Sequence, residues 1–276
     1  MTDRDDDHAA LAAACASGAG LCTIVGIDGS FSRRLGSQLA VMRSGDIVGS
    51  LADGCLEKQL AADLAGCDRP TVKRYGKGSS KIDFRLPCGG GLDILLDPQP
   101  DAAMCRAAIE KLDAREEASL PLPINERLPV RHYIPRLRVR AFGEDPELAV
   151  LQDLARASNI VFERYDRSAL SLGREPDLPP ADLWTAHILL FHDHEWEASI
   201  LRQALAGPSF YIGAQGGAKA REGRIERLAS DGVGSEDLAR VRGPVGVIPS
   251  SRTPRSLALS ILSEIVGAYE RLHPHA

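Results

Sequence analysis

The sequence predicts an α/β chain of two successive domains, a compact α+β unit followed by a doubly wound α/β domain. Three observations carry that expectation. The chain has 276 residues, long for one domain and natural for two. In the second half, short apolar runs alternate with helix-period segments, the rhythm of a βαβ sheet. Between the halves lies ASLPLPINERLPVRHYIPR, Ala118–Arg136, with four prolines in a polar, extended stretch. The domains are therefore expected at 1–117 and 137–276, joined by a linker over 118–136.

In the first half, His8–Ser17 reads as a short alanine-rich helix ended by Gly18 and Gly20. LCTIVGIDG, Leu21–Gly29, alternates like a strand. Gln38–Leu51 is two apolar runs around Ser44-Gly45-Asp46, a hairpin. Gly54–Gly66 places Leu56, Leu60 and Leu64 on one helical face. TVKRYG and LDILLD are strands, and Ala102–Glu117 is a helix. In the second half LRVRAFG, NIVFERYD, HILLFHD and SFYIGA read as strands. ELAVLQDLARAS, WEASILRQALAG and KAREGRIERLAS read as helices. Thr253 and Pro254 form an N-cap and N1 pair that opens a last helix through Ala268.

The composition excludes several classes. Hydrophobic residues at 44% and charged residues at 26% describe a soluble globular protein. A net charge of −5 provides no global attraction to nucleic acid or anionic membrane, and 5% aromatics argues against a base-stacking platform. The start, MTDRDDDHAA, lacks the basic region of a secretory signal, and no apolar run approaches a membrane span. A cytoplasmic protein is expected. Its six cysteines, Cys15, Cys22, Cys55, Cys67, Cys88 and Cys105, are then thiols, and the absence of a CxxC pair argues against a zinc ribbon.

Three stretches can carry chemistry. Leu86–Pro98 reads LPCGGGLDILLDP, a thiol followed by Gly89, Gly90 and Gly91. Consecutive glycine N–H groups can turn inward to form an anion-binding nest, and a thiolate beside them can act as nucleophile or soft metal ligand. A buried structural cysteine before a glycine turn is the equally weighted alternative. The second stretch, Asp53-Gly54-Cys55-Leu56-Glu57, puts Cys55 at a helix N-terminus, where thiolates are stabilised, while Glu57 reads equally as a capping residue. The third, Asp28–Gly36 (DGSFSRRLG), offers Arg33 and Arg34 in a flexible turn. Arginine forks recognise phosphate and carboxylate, but solvated arginines on a surface turn fit the same pattern.

The second half carries weaker signals. Its first βα turn reads Phe142-Gly143-Glu144-Asp145-Pro146-Glu147. Of a dinucleotide fingerprint only Gly143 is present, and three carboxylates stand where a pyrophosphate would rest. Asp166 is placed for a ribose hydroxyl. NAD(P) binding is accordingly not expected. His192-Asp193-His194-Glu195 follows a strand; it reads as helix capping more readily than as a metal pair. Gly213, Gly216 and Gly217, with Lys219 and Arg221 after them, form a second glycine-rich turn, either a phosphate site or a plain connection.

DGSFSRRLG, GSLADGCLE and LPCGGGLDILLDP together resemble the successive motifs of the xanthine dehydrogenase accessory family, XdhC/CoxI. FYIGAQGGAKAREGRIERL and GPVGVIPSSRTPRSLALSILSEIV resemble that family's C-terminal Rossmann-like domain. Two positions depart from the pattern: Ser32 stands where proline is frequent, and Asp53 where glycine is. The resemblance implies an N-terminal XdhC/CoxI domain and a C-terminal Rossmann-like domain. It implies a chaperone that binds molybdenum cofactor (molybdopterin), protects it during sulfuration by a cysteine desulfurase, and delivers it to a xanthine dehydrogenase-type molybdoenzyme. The expected cofactor site comprises Ser30, Arg33, Gly54, Cys55, Glu57, Cys88, Gly89, Gly90 and Gly91, with Gly143 and Asp166 of the second half, and the match to the family motifs singles out Cys55 and Cys88. Cys55 and Cys88 are its expected contacts to molybdenum. A homodimer is expected. The rival expectations are a persulfide-relay sulfurtransferase using Cys88, an NAD(P)-linked oxidoreductase, and a docking scaffold in which both thiols are dispensable.

Overall fold

The computed structural model of the chain describes residues 6–17, 19–52, 54–79, 89–123 and 125–275. The expectations placed on Gly18, Asp53 and Cys88 fall outside these residues. The chain divides into two units, Met1–Pro135 with His273–Ala276, and Arg136–Leu272.

The first unit runs α1 (Asp6–Ser17), β1 (Gly20–Asp28), β2 (Gln38–Val41), β3 (Ile47–Val48), α2 (Cys55–Ala65), β4 (Thr71–Gly76), β5 (Gly91–Asp97), α3 (Ala102–Asp113), β6 (Ala118–Pro121) and β7 (Val130–Tyr133). Strands β1–β5 form an antiparallel sheet in the order β3-β2-β1-β5-β4. Side chains alternate across it. Leu21, Val25 and Leu95 pack against α1 and α3. Cys22, Ile24, Leu92, Ile94 and Leu96 pack against α2 through Leu56, Leu60 and Leu64. Both faces are covered, which is why β5 reads as an unbroken apolar run.

The stretch expected to be a linker is instead a paired ribbon. β6 and β7 pair from Ala118↔Tyr133 to Pro121↔Val130, and Ala118, Leu120, Leu122, Leu128 and Tyr133 are buried in the first unit's core. Prolines are tolerated because a two-stranded ribbon is all edge. Arg131 pins the ribbon from inside. Its fully buried guanidinium donates to Gly36 O at 2.6 Å, pairs with Asp7 at 2.8 Å, and donates to His132 O. Gly36 is glycine for that reason: a Cβ there would lie 2.6 Å from Arg131 Cδ. Helix α3 stops at Asp113, four residues short of the expected Glu117, because β6 begins at Ala118.

The second unit runs β8 (Arg138–Gly143), α4 (Glu147–Ala157), β9 (Val161–Tyr165), β10 (Thr185–Leu190), α5 (Glu197–Ala206), β11 (Tyr211–Ala214), α6 (Ala218–Ser230), α7 (Ser235–Arg240), β12 (Val241–Arg242) and α8 (Pro254–Glu270). Its five strands are all parallel, in the order β9-β8-β10-β11-β12. Helices α4 and α8 bury Leu148, Leu151, Ile261 and Ile265 on one face. Helices α5 and α6 bury Ile200, Leu201 and Leu228 on the other. This is the doubly wound arrangement, with the order of strand addition reversing between β8 and β10. Thr253 caps α8 by accepting from Ser256 N at 3.2 Å, with Pro254 in the first turn.

Candidate functional site

The site is built at one end of the first unit's sheet. There β1 runs out at Asp28, β4 ends at Gly76 and β5 begins at Gly91, and Gly91 is the register partner of both. A bulge in β1 between Ile24 and Gly26 shifts the register by one residue and bends the strand before it reaches this end. Beyond the strands, Gly29, at φ 89°, comes close to Gly90: a Cβ at Gly29 would lie 3.6 Å from Gly90 Cα. Lys77 N donates to Gly90 O at 2.9 Å. The first and third motifs thus meet.

An arginine that the sequence reading missed locks them together. Arg74 Nη2 pairs with Asp28 at 2.9 Å, its Nη1 pairs with Asp93 at 3.0 Å, and its Nε donates to Lys77 O at 2.8 Å. Arg127 reaches the same Asp93 oxygen from the ribbon side. Two glycines make room for this clamp. A Cβ at Gly91 would lie 2.5 Å from Arg74 Cζ and 2.6 Å from Lys77 O, and one at Gly26 would lie 2.8 Å from Arg127 Nη1. Asp93 was the available signal: a carboxylate inside LDILLD must find a cation when buried.

The second motif joins through Arg33. Its Nε donates to Ser50 O at 3.1 Å, and its Nη2 lies 3.5 Å from Ser50 Oγ. Ser50 opens the turn that ends at Gly54, whose φ of 91° favours glycine at the start of α2. Buried Glu57 holds this turn. Its Oε1 accepts from Leu51 N at 2.9 Å and Ala52 N at 2.6 Å, and its Oε2 accepts from Gly54 N at 2.7 Å. Burial pushes the Glu57 carboxyl up, but the backbone donors outweigh it and hold it below the ordinary glutamate value. Both oxygens are engaged, so Glu57 shapes the loop that presents Cys55. Cys55 is the first residue of α2 and is exposed, as is Ser30.

Two further thiols contrast with Cys55. Cys22 and Cys105 are buried, and burial pushes both thiols up, Cys105 to about 12. They are packed as neutral core residues.

Glu57 yields a test. Glu57→Gln should cost about 1 to 3 kcal/mol at pH 7, because an amide leaves one of these backbone donors facing another donor. The folded carboxyl titrates below its unfolded value of about 4.3, so the stabilisation is complete above that value and is lost as pH falls through the folded one. Urea denaturation of both proteins from pH 7 to pH 3 should show the gap closing only at the acidic end. A constant gap would show that the charge plays no part.

In the second unit, Gly143 and Asp166 have local roles. A Cβ at Gly143 would lie 2.8 Å from Leu190 O, so this glycine allows β8 and β10 to close at their ends. Asp166 accepts from Ser168 N at 3.0 Å and faces Arg164 at 3.5 Å. Donors from Ser168 foremost, with Arg164, hold its carboxyl below the ordinary range. The acidic βα turn is tied down by ion pairs, Glu144 to Arg167 at 2.9 Å and Asp145 to Arg164 at 3.0 Å. His194 faces Glu197 at 3.1 Å, and among the described residues no group of three or more His, Cys, Asp or Glu is arranged to hold a metal ion. Among them, too, no helix is long and apolar enough to cross a membrane.

An antiparallel sheet with a glycine-rich, arginine-clamped end, followed by a parallel α/β unit, defines the class. Residues 14–76 match the model of the XdhC and CoxI family, and residues 135–265 match that of the XdhC Rossmann domain. The chain belongs to the XdhC/CoxI family, and its second unit is an XdhC Rossmann domain. Among curated relatives, the molybdenum cofactor insertion chaperone PaoD of Escherichia coli (strain K12) is 31% identical over 293 residues, covering 97% of this chain and 90% of the relative. A crystal structure described as a xanthine dehydrogenase from Bacillus halodurans superposes with a TM-score of 0.72 at 19% identity, covering 96% of each chain. That likeness establishes a shared fold.

Proposed function

We propose that this chain is a maturation chaperone that binds molybdenum cofactor, protects it while a terminal sulfido ligand is installed, and delivers it to a xanthine dehydrogenase-type molybdenum hydroxylase. The name and coverage of the PaoD relative support the cofactor as cargo. The observation that carries the reading is the convergence of the three motif segments, through Asp28↔Gly91, Gly29 beside Gly90, and Arg33 on Ser50. That convergence puts an exposed soft donor, Cys55, on the same assembly as a glycine backbone edge and cationic side chains. A dithiolene-bound, anionic metal cofactor suits this donor set: sulfur for the metal, N–H groups and cations for its oxygens. Cys88 precedes Gly89 directly in the chain and is the second thiol of the reading. Arg74 neutralises Asp28 and Asp93, which would otherwise repel an anion. The role asks for binding and transfer, with the client enzyme and a sulfur-donating cysteine desulfurase as partners.

The test is cofactor content. The protein is expressed in cofactor-producing cells and purified without oxygen, and oxidised-pterin fluorescence and molybdenum are measured per protomer. Wild type should carry near-stoichiometric pterin, and Cys55→Ala and Cys88→Ala should each lower it about tenfold, the loss of one strong contact. No pterin on the wild type, even after addition of purified cofactor, would remove the chaperone reading.

A further inference from the structure

The first unit holds a cavity of about 310 Å³ at the end of its sheet away from the glycine edge. There β1 begins and β5 ends, with Leu21 and Asp97 as register partners. Leu21, Leu95, Leu120 and Leu122 give it apolar walls, and all four are buried. Its volume stands at the small end of the range of ligand sites. Nothing in the cofactor reading uses it. We propose that this cavity seats a primary ammonium group on a short aliphatic chain, with Asp97 as its counter-charge. A lysine side chain of a partner protein and a free alkylamine of the same reach share that chemistry.

Asp97 is the observation that points to a ligand. It is 8% exposed and lines the cavity. Its Oδ1 accepts from Gln99 N at 3.1 Å. Among the described residues no cation meets this carboxylate, and none lines the cavity. Burial pushes the Asp97 carboxyl up, the mark of a charge removed from water without a partner. A buried carboxylate is ordinarily paired. Asp93, four residues earlier on the same face of β5, has both Arg74 and Arg127.

The rest of the lining selects the cation. Pro70, Pro100, Pro121 and Pro123 also line the cavity, and proline has no N–H to offer. The lining is thus poor in donors and suits a ligand that brings its own. Asp101, the other acid of the lining, is already the N-cap of α3. Its Oδ1 accepts from Ala103 N at 2.9 Å and Met104 N at 3.1 Å. It answers the positive end of α3 and leaves the charge of Asp97 unmet. With Oδ1 of Asp97 engaged, a guanidinium fork would find one free oxygen in place of two, whereas an ammonium is a point donor. A divalent ion would need about six oxygens, which leucine and proline side chains do not supply. The apolar walls fit a methylene stem instead. Met104, 40% exposed, is the part of the lining nearest solvent.

The full chain, isotope-labelled, is titrated with n-butylamine, n-butanol and ammonium chloride and followed by its amide chemical shifts. At pH 7 the amine is charged. Butylamine should give saturable shifts centred on Gln99, Ala103 and Leu122. Butanol and ammonium, each lacking one half of the ligand, should bind about tenfold more weakly or worse. Asp97→Asn keeps the acceptor for Gln99 N and removes the charge. It should weaken butylamine by about tenfold or more, and it should raise the melting temperature at pH 7. Met104→Trp, which obstructs the opening, should weaken butylamine similarly with unchanged circular dichroism. Nα-acetyl-lysine methylamide separates the sources. Binding equal to butylamine assigns the cavity to a protein side chain, and binding by butylamine alone assigns it to a free amine. No saturable shift at about 100 mM butylamine, equal binding of butanol, or full affinity in Asp97→Asn would each overturn the proposal. Pterin loading is measured on the same preparations, so the two readings fail separately.

Discussion

Gly91→Ala is expected to cost about 2 to 3 kcal/mol of stability and to cut cofactor retention roughly tenfold. The added methyl group has no room. It would stand 2.5 Å from Arg74 Cζ and 2.6 Å from Lys77 O, and the second of these atoms is backbone. Relief requires the Arg74 fork to leave Asp28 or Asp93, and Asp93 is nearly buried. The cost is therefore overpacking plus a weakened buried pair. Gly45→Ala is the control. Gly45 also has positive φ, 88°, but a Cβ there meets nothing within 4 Å, at the exposed hairpin turn. It should lose only the ~1 to 2 kcal/mol of backbone strain and keep its pterin. Equal behaviour of the two variants in urea denaturation and pterin assay would show that the arginine clamp is not needed.

The second large effect is Arg131→Ala, expected to destabilise the protein by about 3 to 5 kcal/mol. It removes a fully buried cation and leaves Asp7 and the Gly36 carbonyl without their partner. Urea unfolding measures it directly. A loss under about 1 kcal/mol, the range of an exposed pair, would mean that water reaches the Arg131 site.

Arg131 also marks where the sequence was hard to read. Its ribbon carries a clear period of two, with Ala118, Leu120 and Leu122 buried and Ser119 and Pro121 exposed. Four prolines outweighed that alternation, because proline argues against a central strand and says little about a free-standing ribbon. Local chemistry was legible elsewhere. The hairpin at Ser44–Asp46, the Thr253 cap and the strand–helix rhythm of the second unit each depend on a few adjacent residues. So did Glu57, whose capping alternative is the one its hydrogen bonds express. The meeting of the motifs was not legible, because it depends on Asp28 and Gly91 being register partners although they lie far apart in the sequence. Arg74 was missed for the same reason: its partners Asp28 and Asp93 come from two other strands and Lys77 from a turn. Gly143 and Asp166 show the converse difficulty, since a strand closure and a turn cap use the same residue types as a nucleotide site.

The three glycine–arginine sockets, Gly26 with Arg127, Gly36 with Arg131 and Gly91 with Arg74, have one further consequence. Each long side chain is held by the protein's own carboxylates and carbonyls, so its rotamer freedom is already surrendered before any ligand arrives. Around the sockets, binding then costs little in ordering and releasing a ligand regains little. A container built this way has walls that do not reshape around their content. Under the proposed function, its hold would be set by the contacts at the mouth, and a receiving protein that competes for those contacts would empty it without first unfolding the rim.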